Sequence, residues 1–427
     1  MKKKIFLIGL NLYSIILSLK IKKDFKSADI TILEGSKNFL NAYSSIKIGS
    51  FKCNPGFHAL ENIRSKNLVK LFKKMLNFKK INKTRGLLIG DDLISFTSNY
   101  SRWPQKIKNL YKLKNKSVTI NRQNIINSMN KKYLKYLKNN IADERVSYLN
   151  SLSILYPWFF SPNYKLKSKD EGEIFNQKIR DKKIKHSFLF PEKGLFENIS
   201  IKLKKYVKNQ GIKIKLKNPV FFEKKNNQVI FHGSKELNNY KNFKIICIPV
   251  VPLSYSIKDS NIKLPKLKPI KFYSALIEIR NCIKSDFDNF SETIVSSEFA
   301  YGLRRISLYS EIVNLKKRKI YQIEFIEHKK IKNIDDQIKK IMDLMSKFIL
   351  FKKKKSTKNI KVLGVSFIRN IFSPEHSTIN NLSNKTVKYF KNNKNIFFPR
   401  QITWPINSNK HMLYAMNDYT KSIKKII

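Results

Sequence analysis

The N-terminus places the strongest constraint on the fold. Met1 and three lysines precede an apolar run, Ile5–Leu19, broken at Gly9 and followed by a second apolar run, Ala28-Asp-Ile-Thr-Ile-Leu-Glu34. A basic start before an apolar segment is also the shape of a secretory leader. The run is about 15 residues long, short of the roughly 20 that cross a bilayer. Lys20-Ile-Lys-Lys23 stands where a small-residue cleavage site belongs. The pattern reads better as strand Lys4–Ile8, turn at Gly9, helix Leu12–Lys22 and strand Asp29–Leu33 ending in the acid Glu34. That is a parallel βαβ unit, retained on the mature protein.

The rest of the chain is large enough to build on such a unit. Its 427 residues are 42% hydrophobic and 12% aromatic, too apolar for a disordered polycation and long enough for two domains. The formal charge is +57, yet only 12 of the 87 basic residues are Arg. Lys, Ile and Asn share adenine- and thymine-rich codons, so base composition explains the charge without a specific nucleic-acid partner. A polyanion-binding or peripheral membrane surface is the competing explanation. A phosphate-reading surface would enrich and cluster Arg, whereas Lys here runs from Lys2 to Lys425 with one dense stretch at Lys352–Lys355. Cys53, Cys247 and Cys282 are too few and too scattered for a disulfide scaffold or zinc fingers, and suit a reducing, cytoplasmic setting.

Further along, residues 66–76 read as a helix with one wet face. Residues 86–96 read as a hairpin turning at Gly90-Asp91-Asp92. From about 104 to 182 the chain reads as helical and rich in Lys and Asn, with Tyr156-Pro-Trp-Phe-Phe160 as a break. A helix over 195–209 stops at Gly211, before a strand (Ile212–Leu216) and a hairpin turning at Lys224–Asn227. Ile245–Pro249 is a buried-type strand. FYSALIEIR, ISLYSEIV and IYQIEFIE between 268 and 330 alternate as strands; 335–350 is an amphipathic helix and 411–427 another helix. No catalytic Ser/His/Asp order, metal cluster or P-loop stands out, and Asp91-Asp92 is a turn.

Four pieces in order resemble the superfamily of flavin-dependent amine oxidases, protoporphyrinogen oxidases and UDP-galactopyranose mutases. The first is Ile8-Gly9 through Glu34. The family has a G-x-G-x-x-G turn there, with the pyrophosphate at a helix N-terminus and an acid on the ribose. Here Gly9 holds the first position, Asn11 and Ser14 the second and third, and Glu34 the acid. Asn tolerates left-handed backbone, so Asn11 is expected to keep the turn while projecting a side chain toward the pyrophosphate path. The second piece is Phe39-Leu-Asn-Ala42-Tyr43 with Gly56-Phe57-His58, similar to the loops beside the flavin, with Phe39 and Leu40 in place of twin glycines. The third runs from Phe188 through Gly211 to Pro219-Val220, where the family's Val backbone meets the adenine end, and on to Ile245–Val250. The fourth is Phe397-Phe-Pro-Arg400 through Trp404 to Met412–Met416, similar to the last flavin-contacting strand and helix; Pro399 and Tyr419 stand where glycines are usual.

The resemblance implies an α/β fold in which an FAD/NAD(P)-binding Rossmann-like domain (1–85, 186–260 and 385–427) is interleaved with a mixed-sheet and helical substrate domain (86–185 and 261–384). It implies FAD as cofactor, a small-molecule or sugar-nucleotide substrate, and oxidation–reduction or redox-neutral sugar chemistry carried by the flavin. Gly9, Asn11, Ser14, Glu34, Ala42, His58, Val220 and Arg400 are the implied cofactor contacts. His58 and Arg304 are the candidates for chemistry; Arg304 or its neighbour Arg305 is expected to face the cleft, because adjacent strand residues point oppositely. Bland readings compete: Glu34 as a solvated strand end, His58 as a packed turn histidine, Arg400 as a surface ion pair, Trp404 as core. A non-catalytic binding or assembly protein on the same fold is the alternative function.

Overall fold

The computed structural model describes residues 3–40, 43–55, 60–61, 66–89, 92–95, 188–192, 195–225, 228–233, 237, 244–247, 270–295, 301–315, 318–328, 331, 333–352, 359–371, 395–397, 415–416 and 419–427.

Strand β1 (Lys4–Ile8), helix α1 (Leu12–Asp24) and strand β2 (Asp29–Leu33) form the expected βαβ unit. β1 and β2 pair in parallel, Ile8 beside Leu33. Ile5, Leu7, Ile30 and Ile32 are wholly buried, as an uninterrupted apolar run requires when a parallel sheet is covered on both faces. The complete sheet is parallel, in the order Lys213–Lys215, β2, β1, Lys244–Cys247, Ile396–Phe397. It thus gathers strands from three distant stretches of sequence.

Helix α1 is buried on nearly all sides of its first two turns, with lysines confined to its C-terminal end. A helix over Glu197–Asn209 contributes Ile199, Leu203 and Val207 to the same core, one turn apart. It ends as expected at Gly211, whose φ of +73° and bond from its N–H to the Lys208 carbonyl close the last turn.

A second, seven-stranded sheet has the order Ile360–Ile371, Ile270–Ile279, Lys319–Ile326, Leu303–Leu308, Phe290–Val295, Thr84–Ile89, Asp92–Ser95. Its pairs are antiparallel except Phe290–Val295 with Thr84–Ile89. The helix Ile334–Ser346 covers one face, packing Ile338, Ile341, Leu344 and Met345 onto Ala275, Ile277, Ile323 and Phe325. The expected hairpin of 86–96 forms the end of this sheet.

Three readings of the sequence are corrected. The helix at 66 ends at Lys73, and the N–H groups of Met75 and Leu76 both turn back to the Phe72 carbonyl. ISLYSEIV is strand only to Leu308; Tyr309–Ile312 is a short helix. The helix read over 335–350 ends at Ser346, and Ile349–Phe351 is a short strand; the described part of the tail is helical as expected, with a wide turn over Tyr419–Ile423 followed by Lys424–Ile426. The expected helices of 104–182 lie outside the described residues.

Candidate functional site

The C-terminal ends of β1 and β2 meet the N-terminus of α1, and the turn between them commits its donors in succession. Gly9, at φ +97°, donates its N–H to the Leu33 carbonyl at 2.8 Å. The next N–H, of Leu10, donates to Oε2 of Glu34 at 2.7 Å. The N–H of Asn11 donates to Oγ of Ser14 at 2.9 Å, and the N–H of Ser14 returns to Oδ1 of Asn11 at 3.0 Å. The last two bonds are a capping box, with Ser in place of the usual Glu or Gln.

Asn11 therefore does something other than the sequence suggests. Its backbone is extended (φ −149°, ψ −176°), not left-handed, so no glycine geometry is demanded at this position. Its side chain folds back on its own helix. The amide oxygen occupies the place where an anion bound at a helix N-terminus would accept the same N–H. Ser14 is wholly buried and completes the cap through its hydroxyl, which also donates to the Asn11 carbonyl at 2.8 Å.

Glu34 is half-buried at the mouth of the turn. Its Oε1 accepts the Ser36 N–H at 2.8 Å, so each carboxylate oxygen holds one backbone donor and keeps further lone pairs. The Val220 segment runs alongside. Asn218 N–H donates to the Glu34 carbonyl at 2.8 Å and Lys217 N–H to the Ser36 carbonyl at 3.0 Å. Val220 is buried, and the side-chain oxygen of Asn218 is buried without a hydrogen-bond partner. Gly9, Asn11, Ser14, Glu34 and Val220 are thus assembled at one end of the parallel sheet. Ala42, His58 and Arg400 lie outside the described residues.

Leu40, in the region of the missing twin glycines, has φ +52° and is buried. The backbone adopts the left-handed conformation that glycine favours, although the residue is a leucine. The neighbouring Phe39 carbonyl accepts the Ser200 hydroxyl at 2.6 Å, which ties this loop to the helix of Glu197–Asn209.

The loop leading to Gly56-Phe57-His58 is pinned between the two sheets. Asn54 Oδ1 accepts the Phe196 N–H at 3.0 Å, and its carbonyl accepts Nε2 of Gln322 at 2.7 Å. Gln322 also donates to the Ser274 hydroxyl at 2.9 Å. Cys53, next in line, is buried, and loss of solvation pushes its thiol up to about 12, which leaves it protonated and poorly nucleophilic at neutral pH.

Arg304 and Arg305 both reach the sheet face opposite the Ile334–Ser346 helix. Phe272, Ser274 and Leu276 alternate onto that face, and Ser274 pairs with Glu324. The Arg305 guanidinium lies 3.1 Å from Glu292 and 3.5 Å from Glu324, both almost wholly buried. The Arg304 guanidinium sits over the Phe272 ring, 5.9 Å from its centroid. A register shift between Leu303 and Arg305 interrupts the strict alternation of this strand. Sequence reading also passed over Glu292 and Glu324; acids in the middle of strongly apolar strands were the available signal.

A separate cleft of about 760 Å³ opens at the other end of α1, between Leu19, Lys20, Lys23, Leu71 and Tyr206, away from the turn. Among the described residues no helix is long and apolar enough to cross a membrane, and no His/Cys/Asp/Glu group could hold a metal ion.

The fold is similar to that of a UDP-galactopyranose mutase, a protoporphyrinogen oxidase and a putrescine oxidase. A reduced UDP-galactopyranose mutase matches with a TM-score of 0.64 at 11% identity, covering 99% of this chain and 96% of that one. A candidate protoporphyrinogen oxidase from Exiguobacterium sp. 255-15 matches at 0.55 and 9% identity, over 100% and 99%. Putrescine oxidase bound to putrescine matches at 0.53 and 10% identity, over 99% of each chain. No family model and no curated protein sequence matches the chain.

Proposed function

We propose that the chain is a flavin-dependent oxidoreductase-like protein of the amine oxidase and protoporphyrinogen oxidase type, acting on a small molecule such as a sugar nucleotide. The observation that carries this reading is the Glu34 carboxylate, held at the turn by Leu10 and Ser36 with lone pairs remaining for a ribose diol. The unpartnered Asn218 oxygen beside it is an acceptor suited to a nucleotide donor. FAD would be held by Gly9, Glu34 and the Val220 segment at its nucleotide end, with Ala42, His58 and Arg400 assigned to the remainder. Bound FAD supplies the redox chemistry; the chain binds, orients and excludes water.

The residues of the turn fit FAD with one side chain to move. A pyrophosphate must displace the Asn11 amide, and an N-terminal cap is worth about 1 kcal/mol. Micromolar binding corresponds to about 8 kcal/mol, so the cap weakens FAD binding without abolishing it. The division into a dinucleotide domain of 1–85, 186–260 and 385–427 and a substrate domain of 86–185 and 261–384 belongs to the same proposal, as does a cytoplasmic location.

The self-capped turn also supports a second reading, a non-catalytic descendant that keeps the fold for binding or assembly. FAD released from protein purified from its native host separates the two. About one FAD per chain supports the flavoprotein. A chain that stays colourless in excess FAD supports the descendant.

A further inference from the structure

Where the first residue of an interior strand of the second sheet meets the short two-stranded sheet of Cys282–Ser285, Cys282, Lys319 and Asp288 form a cluster that the proposed flavin chemistry does not use. Lys319 opens the strand Lys319–Ile326, opposite Ile279. Cys282 opens the strand that follows Ile270–Ile279, Cys282–Ser285, which pairs with Ile349–Phe351. Lys319 Nζ lies 3.4 Å from Cys282 Sγ and 2.6 Å from Asp288 Oδ2. The other oxygen of Asp288 accepts the hydroxyl of the buried Tyr321, which fixes the carboxylate in place. The side chains of Lys319 and Asp288 are 27% and 31% exposed and Cys282 is partly exposed, so a small oxidant can enter.

We propose that Cys282 and Lys319 form a reversible oxidative cross-link. Hydrogen peroxide, or another peroxide of similar size, oxidises the thiol to a sulfenic acid and is itself reduced to water; sulfur loses two electrons in this step. A sulfenic acid within reach of a nitrogen nucleophile condenses with it. The ion pair with Asp288 positions Lys319 and favours its ammonium form; after one proton is lost to solvent, the free amine attacks the sulfur. An S–N bond forms and the S–O bond breaks. The second proton leaving the nitrogen departs on the hydroxide as a second water. The geometry favours this partner over disulfide formation, since the nitrogen is already in contact with the sulfur. The link staples two chain positions 37 residues apart, and excess thiol reverses it through a mixed disulfide.

The test uses the full-length chain, treated with hydrogen peroxide and digested without reductant. The expected product is a joined peptide pair containing Cys282 and Lys319, lighter than the sum of its parts by about 2 Da for the two hydrogens lost. It disappears on dithiothreitol treatment and is missing from Cys282→Ser. It is also missing from Lys319→Arg, which keeps the charge beside Asp288 but has no available free-base nitrogen. In Lys319→Arg, Cys282 should instead accumulate as sulfenic and sulfinic acid. Wild-type Cys282 found only in those unlinked forms, or joined to a different lysine, would overturn the proposal. Since the wild-type digest decides the matter, a variant that fails to fold does not shelter it.

Discussion

The amide oxygen of Asn11 accepts the Ser14 N–H at 3.0 Å, placing a side-chain cap at a helix N-terminus whose backbone donors would otherwise be open to an anion. The first prediction follows from that bond. Asn11→Gly removes the competitor, and at an N-cap this change costs the helix only a few tenths of a kcal/mol. Because those few tenths of a kcal/mol of cap no longer have to be displaced, FAD affinity should rise roughly twofold. Asn11→Asp should do the reverse, stabilising the helix by its charge while repelling the pyrophosphate. Fluorescence titration with FAD and thermal melts of both variants check this. Parallel changes in affinity and stability would show that the cap and the phosphate do not compete.

Glu34 has a structural role at the turn and, under the proposed function, a binding role, and substitutions separate them. Glu34→Ala leaves the Leu10 and Ser36 N–H groups without their acceptor, a cost of about 1–3 kcal/mol to the apoprotein. Glu34→Gln keeps an oxygen for one of them and should cost less. Both should weaken FAD binding, since a ribose diol prefers a charged acceptor. Denaturant melts of the apoproteins and FAD titrations give the two readings independently. An Ala variant as stable as the wild type would remove the structural role.

At Leu40 the usual ranking of substitutions should invert. Truncating a buried leucine to alanine costs about 2–5 kcal/mol, and Leu40→Ala would also retain the left-handed strain. Leu40→Gly loses the same packing but relieves roughly 1 kcal/mol of backbone strain. Glycine should therefore be the less damaging replacement in a chemical denaturation series. Alanine proving the milder change would mean that φ +52° is not strained in the folded protein.

The acid limb of stability should depend on Glu278. The Arg318 guanidinium, 2.6 Å away, holds its carboxyl below the usual carboxylate range, with Arg280 adding to the effect against the opposing influence of burial. A depressed folded pKa stabilises the protein above the unfolded value of 4.5, and that contribution disappears as pH falls through the folded value. Glu278→Gln should flatten this part of a stability-versus-pH curve below the ordinary carboxylate range. It should leave the slope above neutrality unchanged. An unaltered acid limb in the variant would assign the loss of stability to other carboxylates.

How far the sequence alone carried can be judged at the same residues. The βαβ unit was legible because two mostly apolar runs, a glycine breaking the first and an acid ending the second leave few other arrangements, and Glu34 does sit at the turn. The role of Asn11 was not legible, since a motif position does not say whether an amide points outward or caps its own helix. The break in alternation at Arg304 and Arg305 was not legible either, since only strand pairing reveals the register shift. The strand Ile360–Ile371 drew no expectation from the sequence, and Gly364 lies within it. That glycine is explained by a partner distant in sequence: a Cβ there would meet the Gly49 nitrogen at 2.5 Å.

The most direct test of the central claim is the FAD affinity of the purified chain, measured beside its Asn11→Gly variant at the same salt concentration. The account predicts saturable binding approaching one FAD per chain for the wild type, with a yellow complex and tighter binding by the glycine variant. Both proteins remaining colourless and unsaturated in excess FAD, while still folded, would contradict it and leave the fold without its cofactor.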